Sequence, residues 1–340
     1  MSEPSMSVAD YFRRHSTYIK IFLIFLSVAI PLAVLYSLDA PSFDKAFNGR
    51  AYYLFFVWLV VLEFALEWDT YKSEASKMSV KRALAFGLAL LLPTVYVVAS
   101  NFLGFNTTII NVFSSYGVIA PWLDNAPLAM EYIAFAMFFI LIFLFAYKLK
   151  GLMDFSLSIA LLGVVGAIHT INILFPYGGF TPFQFLVPVT TQASASVLNF
   201  MGYQTGVMPN SKTQMPVLII HDPASGGTWS GQIAWPCAGV ESLLLYTIIM
   251  LLFLKKSDIP RLQKVGYFAF GAVVTYGINI LRIVTIFLIG LNKGDVWTFH
   301  DYYAQLYSAG WIVAYPLIII GSRIIWSKYR NTIVNFIVND

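Results

Sequence analysis

Eight apolar runs of roughly twenty residues constrain the fold of this chain more than any other feature of its sequence. They lie approximately at 18–38, 51–66, 83–100, 130–147, 155–175, 237–254, 265–290 and 304–322. A helix needs about 20 apolar residues to cross the hydrocarbon core of a bilayer. Only 11% of the residues are charged, against about 25% in a soluble domain. The sequence therefore predicts an all-α polytopic membrane protein with about eight transmembrane helices, and it excludes a soluble or disordered chain.

The distribution of Lys and Arg predicts the orientation of these spans. With the N-terminus inside, 16 of the 21 basic residues fall in cytoplasmic segments and four fall outside, while Arg282 lies within a span. Cytoplasmic loops of membrane proteins carry such an excess of positive charge. We expect a multi-pass plasma-membrane protein with both termini in the cytoplasm. The net charge of +4 is small and lies in short clusters, which argues against a nucleic-acid partner.

The longest predicted external segment is 176–236. Its first part, around 183–200, is apolar and suits the membrane interface. Its second part, 202–229, alternates β-favouring residues with Gly, Pro and Asn. We therefore expect a small extracytoplasmic β-hairpin after an amphipathic segment.

Three reactive side chains are predicted to lie at a common height near the external surface. Cys237, Arg282 and His300 are 18, 17 and 23 residues from the cytoplasmic ends of their spans, which is about 27, 26 and 34 Å of helix before tilt. Ionisable groups at membrane depth are costly, so each suggests a function. The plainer interpretations are a small apolar filler for Cys237, a structural ion pair for Arg282 and an interfacial residue for His300.

This trio has the chemistry of a nucleophilic site. Cys237 is the only cysteine, which excludes an intrachain disulfide and a cysteine-rich metal site, and we expect neither a metal nor a cofactor. Its place after Pro236, at a predicted helix start, favours the thiolate. His300 is a candidate general base and acid, and Arg282 a candidate oxyanion or carboxylate binder.

Other histidines compete with His300 for the role of base. His169 is 19 residues above its cytoplasmic anchor, about 28 Å, and passes the same height test. His221 lies in the external β segment and is a second competitor. Only His15 is eliminated, because the predicted topology places it in the cytoplasm.

Four further polar residues are candidates for a supporting role. Asn279 precedes Arg282 by one helical turn and is predicted to orient its guanidinium. Glu241 lies one turn deeper than Cys237 and would contact substrate, pair with Arg282 or be satisfied within the bundle. Ser242 and Asp301 complete the set.

Three short blocks of this sequence resemble the motifs of the exosortase and archaeosortase family. Trp235 to Leu243 (WPCAGVESL) resembles its C-x-G-x-x-S block, and Asn279 to Ile283 (NILRI) resembles its N-x-x-R-I block. Phe299 to Asp301 (FHD), with Gly310 and Trp311 beyond it, resembles the third block. The order and spacing agree, and the resemblance covers roughly 130–322.

The resemblance implies an integral-membrane cysteine transpeptidase. Its substrates would be proteins with a C-terminal sorting signal made of a recognition motif, a transmembrane helix and a basic tail. Cys237 would form a thioester, Arg282 would stabilise it, and His300, now preferred to His169, would move the proton. A lipid or glycan would accept the acyl group. We expect a catalytic membrane core at 130–325, preceded by N-terminal helices and an external loop at 1–129 and followed by a cytoplasmic tail at 326–340.

Two other functions remain open at this point. A hydrolytic intramembrane cysteine protease would use the same residues and pass the acyl group to water. A polytopic transporter would line its path with Arg282, Glu241 and Glu63, although such proteins spread polar residues through the midplane and often show repeats.

Overall fold

The computed structural model describes residues 16–45, 48–68, 71, 78–176, 180–211 and 215–338. Contacts divide the chain into two units, Met1–Leu174 and Phe175–Asp340. Several predicted topology markers lie outside the described residues: His15, Arg13, Arg14, Lys72, Lys77 and Lys212.

The first unit is helical in its described part. Its main helices are α1 (Ser16–Leu38), α2 (Tyr52–Leu66), α3 (Val80–Phe102), α4 (Phe105–Ser115), α5 (Ala126–Asp154) and α6 (Ser156–Leu174). Helices α5 and α6 approach closely because Gly166 has no side chain, and an added Cβ would lie 2.7 Å from Ile133 Cγ1. Aromatic rings fill the interior, and Phe143 and Phe155 stack with centroids 4.0 Å apart.

An ion pair joins Arg50, which lies just before α2, to Glu131 of α5. Arg50 donates from Nε and Nη2 to the two carboxylate oxygens of Glu131, each at 2.9 Å. The Arg50 Nη1 also donates to Ser42 Oγ and contacts the carboxylate of Asp39. The Glu131 side chain is only 5% exposed, so this bidentate geometry compensates for the removal of both charges from water.

The second unit combines helices with a small sheet. Its elements are α7 (Leu186–Phe200), β1 (Gln204–Pro209), β2 (Pro216–His221), β3 (Thr228–Gln232), α8 (Val240–Lys256), α9 (Arg261–Leu291) and α10 (Ala304–Val338). The strands are antiparallel in the order β1-β2-β3. One face of the sheet packs inward through Leu218 and Ile220, and Trp229 packs edge-on against Phe287 of α9.

The polytopic helical architecture predicted from the sequence is confirmed, but the count of eight spans is not. Five helices in the described part of the chain are long and apolar enough to cross a membrane: Thr17–Leu38, Val80–Phe102, Leu123–Asp154, Ser156–Leu174 and Arg261–Leu291. The other three predicted runs also form helices. However, α2 has 15 residues and α8 has 17, which is about 22 and 26 Å of helix, and the apolar part of α10 is Gly310–Trp326.

Three further differences concern local structure. The predicted hairpin at 202–229 is a three-stranded sheet, because β3, which continues to Gln232, also pairs with β2. The stretch after α3, predicted as an external loop, contains a helix, α4, which the sequence analysis did not predict. Helix α10 continues to Val338, through the segment predicted as a tail.

Candidate active site

Cys237 lies in a tight turn between β3 and α8. Its N–H donates to the carbonyl of Ala234, and the N–H of Ala238 donates to the same carbonyl. Gly239 then adopts a left-handed conformation with φ of 93°, which favours glycine because it has no Cβ. Helix α8 begins at Val240. The predicted position of Cys237 at the first residue of the helix is therefore wrong, because the left-handed residue separates the thiol from the helical turn.

Side chains from two neighbouring helices hold the backbone of this turn. Asn279 of α9 donates from Nδ2 to the carbonyl of Cys237 at 3.0 Å. Thr190 of α7 donates from its hydroxyl to the carbonyl of Ala238 at 3.1 Å and also bonds the hydroxyl of Tyr276 at 2.7 Å. Both Asn279 and Thr190 are fully buried. These bonds satisfy carbonyls that no regular helix uses, and they fix the position of the Cys237 backbone.

The thiol of Cys237 faces the imidazole of His300. Cys237 Sγ and His300 Nε2 are 3.9 Å apart, and the other ring nitrogen, Nδ1, lies 2.9 Å from Asp301 Oδ1. His300 belongs to a π-helical turn, Phe299–Tyr303, that precedes α10. The carboxylate on Nδ1 fixes the ring orientation and leaves Nε2 directed at sulfur, as a base that serves a nucleophile requires.

The electrostatics of the pair favour proton transfer from sulfur to nitrogen. Both residues lie outside the described helices that are long and apolar enough to cross a membrane. Burial raises the pKa of the Cys237 thiol, but the hydrogen bond and charge of His300, with the charge of Arg282, leave it below its ordinary value. Burial lowers the pKa of His300, but the contacts with Cys237 and Asp301 leave it raised. Opposite shifts of this kind stabilise a thiolate beside an imidazolium.

Arg282 is buried in α9, one turn beyond Asn279. Its side chain is 3% exposed, and its Nε has no hydrogen-bond partner among the described residues. Glu241 is also buried, but among the ion pairs of the described residues none joins it to Arg282. Asn279 does not orient the guanidinium as predicted. Its Nδ2 donates to the Cys237 carbonyl, and its Oδ1, the atom that would accept from a guanidinium, has no hydrogen-bond partner among the described residues. A buried guanidinium with an unused donor is suited to bind an oxyanion or a carboxylate.

A groove with a volume of about 580 Å³ opens onto Cys237 and His300. One wall is β3 with Ile233, and another is the segment from Gly294 to Trp297. Between them lie apolar side chains of α9, namely Ile283, Ile286 and Phe287. A substrate would therefore reach the thiol and the imidazole through this groove, which has apolar side chains and one β-strand along its side.

Comparison with known proteins identifies the family. The family model for transmembrane exosortases matches residues 46–317, which is more than half of the chain. The chain belongs to the transmembrane exosortase family. A search of curated proteins found no match, and a search of solved structures found none either. Membership makes this exosortase a membrane-embedded sorting enzyme, and it implies substrates with C-terminal sorting signals.

The other residues that the sequence analysis considered for the site make contacts of their own in this exosortase. His169 lies in the first unit, where its ring packs edge-on against Tyr132 and is buried. His221 lies on β2, with Nδ1 3.1 Å from Thr228 Oγ1. Glu63 accepts a hydrogen bond from the N–H of Leu157, in the first turn of α6. None of these contacts involves Cys237.

Ser242 joins two helices of the exosortase core. It donates to Ser308 Oγ at 3.0 Å, which links α8 to α10. Next to this contact, Trp311 of α10 donates to Thr275 of α9 at 3.2 Å. Ser242 therefore joins the helix that follows Cys237 to the helix that follows His300, and its hydroxyl donates to Ser308 rather than to either reactive residue.

The sequence analysis missed Thr190 of α7, which holds the turn, and Tyr276 of α9, which bonds the hydroxyl of Thr190. It also missed the wall formed by β3. The one available signal was the run Trp229-Ser230-Gly231, because a glycine within a strand often marks close approach of another group. An added Cβ at Gly231 would lie 2.9 Å from the Trp229 ring and 3.3 Å from Phe287.

Proposed function

We propose that Cys237, His300 and Arg282 form the catalytic centre of a transpeptidase that cleaves C-terminal sorting signals and transfers the cleaved protein to an acceptor. The observation that carries this proposal is the Cys237 Sγ to His300 Nε2 distance of 3.9 Å, with Asp301 on the opposite ring nitrogen. Cys237 and His300 also line the same groove, which supports the proposal further.

Acylation begins with transfer of the thiol proton to His300 Nε2. The thiolate attacks the carbonyl carbon of the scissile peptide bond, and the carbonyl oxygen becomes an oxyanion that Arg282 stabilises. The C–N bond then breaks, and His300 returns the proton to the leaving amine. The product is a thioester between Cys237 and the substrate protein, and the C-terminal helix with its basic tail departs.

Deacylation repeats these roles with a second nucleophile. An amine or hydroxyl of a lipid or glycan gives its proton to His300 and attacks the thioester carbon. Collapse of the second oxyanion releases the thiolate, which recovers the proton from His300. Water in place of the acceptor gives hydrolysis, so the two reactions differ in acceptor access and use the same residues.

The distribution of charge supports an active site on the extracytoplasmic side. The basic residues favour cytoplasmic termini. A substrate helix crossing the membrane would then place its basic tail in the cytoplasm and its scissile bond near Cys237. This orientation agrees with the processing of proteins destined for the cell surface.

The most direct test is mass spectrometry of an acyl adduct on Cys237. Cells that make this protein and a substrate with the three-part tail are quenched in acid, which preserves thioesters. We expect a Cys237 peptide heavier by the C-terminal residues of the cleaved protein. Cys237→Ala should abolish processing and leave membrane insertion unchanged.

Matched histidine variants identify the base. His300→Gln should reduce processing at least a hundredfold, as expected for loss of general acid–base catalysis. His169→Gln and His221→Gln should leave the rate within about threefold of wild type. Processing by Cys237→Ala, or a greater loss in either control than in His300→Gln, would contradict the proposed roles.

A further inference from the structure

No strand among the described residues pairs with the outer edge of β3, which forms one side of the groove that contains Cys237 and His300. In an antiparallel pair, alternate residues direct their N–H and C=O groups toward the partner strand. The N–H of Ile233 donates to Pro216, and the N–H of Asp222 donates to Gly227, so the odd-numbered residues of β3 face β2. The backbone groups of Thr228, Ser230 and Gln232 therefore point to the opposite edge.

The register of the sheet directs these backbone groups away from β2, and outside the sheet they have no backbone partner in the described part of the chain. Ser230 and Gln232 line the groove, together with Gly231 and Ile233. Unpaired N–H and C=O groups along a strand are a template for another extended chain. In this protein the template ends five residues before Cys237.

The two edges of the sheet differ in a way that supports a special role for β3. On β1, the N–H of Asn210 donates to Met215, so Thr205, Val207 and Pro209 point outward by the same alternation. Pro209 has no N–H and blunts that edge, which is a common protection against strand pairing. The outward positions of β3 contain no proline.

We propose that the substrate segment next to the scissile bond binds as an added β-strand on the outer edge of β3. This inference rests on the proposed function, because that function requires an extended peptide beside Cys237. One residue of an added strand occupies about 160 Å³ at ordinary sheet spacings, so the groove of about 580 Å³ holds roughly four residues. Backbone pairing supplies affinity that does not depend on the side chains of the substrate. The apolar wall at Ile286 and Phe287 then selects among substrates by their side chains.

Proline substitution tests the backbone donor directly. Ser230→Pro removes an outward N–H that no bond within the sheet uses, so the three-stranded sheet is retained. Val207→Pro is the matched control, because it makes the same change on the outer edge of β1, where Val207 is 48% exposed. Each variant is expressed in cells that lack the wild-type copy and contain a reporter protein with the sorting signal of a native substrate. Processing is followed as the ratio of precursor to cleaved protein.

We expect Ser230→Pro to reduce the processing rate about tenfold, which corresponds to about 1.4 kcal/mol, and Val207→Pro to remain within twofold of wild type. Alkylation of Cys237 by iodoacetamide in the same membranes should be unchanged in both variants, which shows that the thiol and its base are intact. A wild-type rate in Ser230→Pro overturns the strand-pairing proposal. Processing by Cys237→Ala, measured in parallel, would instead overturn the proposed function.

Photocrosslinking keeps the proposal falsifiable if Ser230→Pro does not fold. A benzoylphenylalanine residue is introduced at position 230 or at position 207 in the Cys237→Ala background, in which uncleaved precursor accumulates. We expect a crosslink to the reporter precursor from position 230 and none from position 207. Equal crosslinking from both positions, or none from position 230, overturns the proposal.

Discussion

Removal of the imidazole from position 300 should make the single thiol of this protein much less reactive at neutral pH. In His300→Gln the volume of the side chain is nearly kept, but no positive charge forms beside sulfur. At about 4 Å, two unit charges attract by about 4 kcal/mol at an effective dielectric constant of 20. Burial of the thiol opposes ionisation and reduces this advantage. A tenfold loss of thiolate requires only about 1.4 kcal/mol, so we expect at least a tenfold slower alkylation at pH 7.

The assay benefits from the presence of one cysteine in the chain. Purified protein in detergent is treated with iodoacetamide at a series of pH values, and the mass shift gives the alkylated fraction without any background thiol. In the wild type, the lowered pKa of Cys237 should allow alkylation to proceed at pH values below those at which an ordinary thiol ionises. In His300→Gln the midpoint should move toward alkaline pH, because burial remains and the imidazolium is lost.

The control is His221→Gln, which changes a histidine of the same unit whose ring contacts Thr228. Its alkylation profile should coincide with that of the wild type. Identical profiles for His300→Gln and the wild type would refute the thiolate–imidazolium pair, whatever the effect on processing.

Four further substitutions test the supporting structure. Asp301→Asn should lower the pKa of His300, so the alkaline limit of processing moves to lower pH in a pH–rate profile. Asn279→Asp removes the donor to the Cys237 carbonyl at 3.0 Å; we expect processing about tenfold slower or more, since an unsatisfied buried group costs about 1–3 kcal/mol. Gly239→Ala, at φ of 93°, should lower the thermal unfolding temperature, because a Cβ there costs about 1–2 kcal/mol. Glu131→Gln should destabilise the first unit by about 3 kcal/mol, measured by thermal unfolding, and the double variant with Arg50→Met should lose less than the sum of the single variants.

The helices were predictable from the sequence, but the number of spans was not. An apolar run of the right composition marks a helix, and this interpretation holds for α1, α3, α5, α6 and α9. It overcounts where the run is interrupted or short, as in α2, whose 15 residues end at Leu66. Helix α4 was missed, because its 11 residues combine polar and apolar positions in a segment bounded by glycine and turn residues.

The sequence predicted the candidate site only from the types of its residues and from their height along the membrane-spanning helices. Counting along each helix indicated that Cys237 and His300 lie near one level, and the structure brings these two side chains together. The height test did not distinguish His300 from His169, because depth in the membrane contains no information about which unit a helix belongs to. Thr190 and the β3 edge were beyond such reasoning, since strand register and contacts between distant helices depend on packing.

The local geometry also gives a physical reason for the spacing of cysteine and glycine in this turn. If the helix ran through Cys237, its carbonyl would accept a bond from the helix and would be unavailable to Asn279. The left-handed residue two positions later interrupts the helix, which frees the carbonyls of Cys237 and Ala238 for side chains of α9 and α7. Any side chain at Gly239 would also meet Asn279, since an added Cβ would lie 3.1 Å from its Nδ2. The glycine is therefore required both by the left-handed turn and by the close approach of Asn279. Any other residue at position 239 should displace the thiol from His300 and destabilise the start of α8.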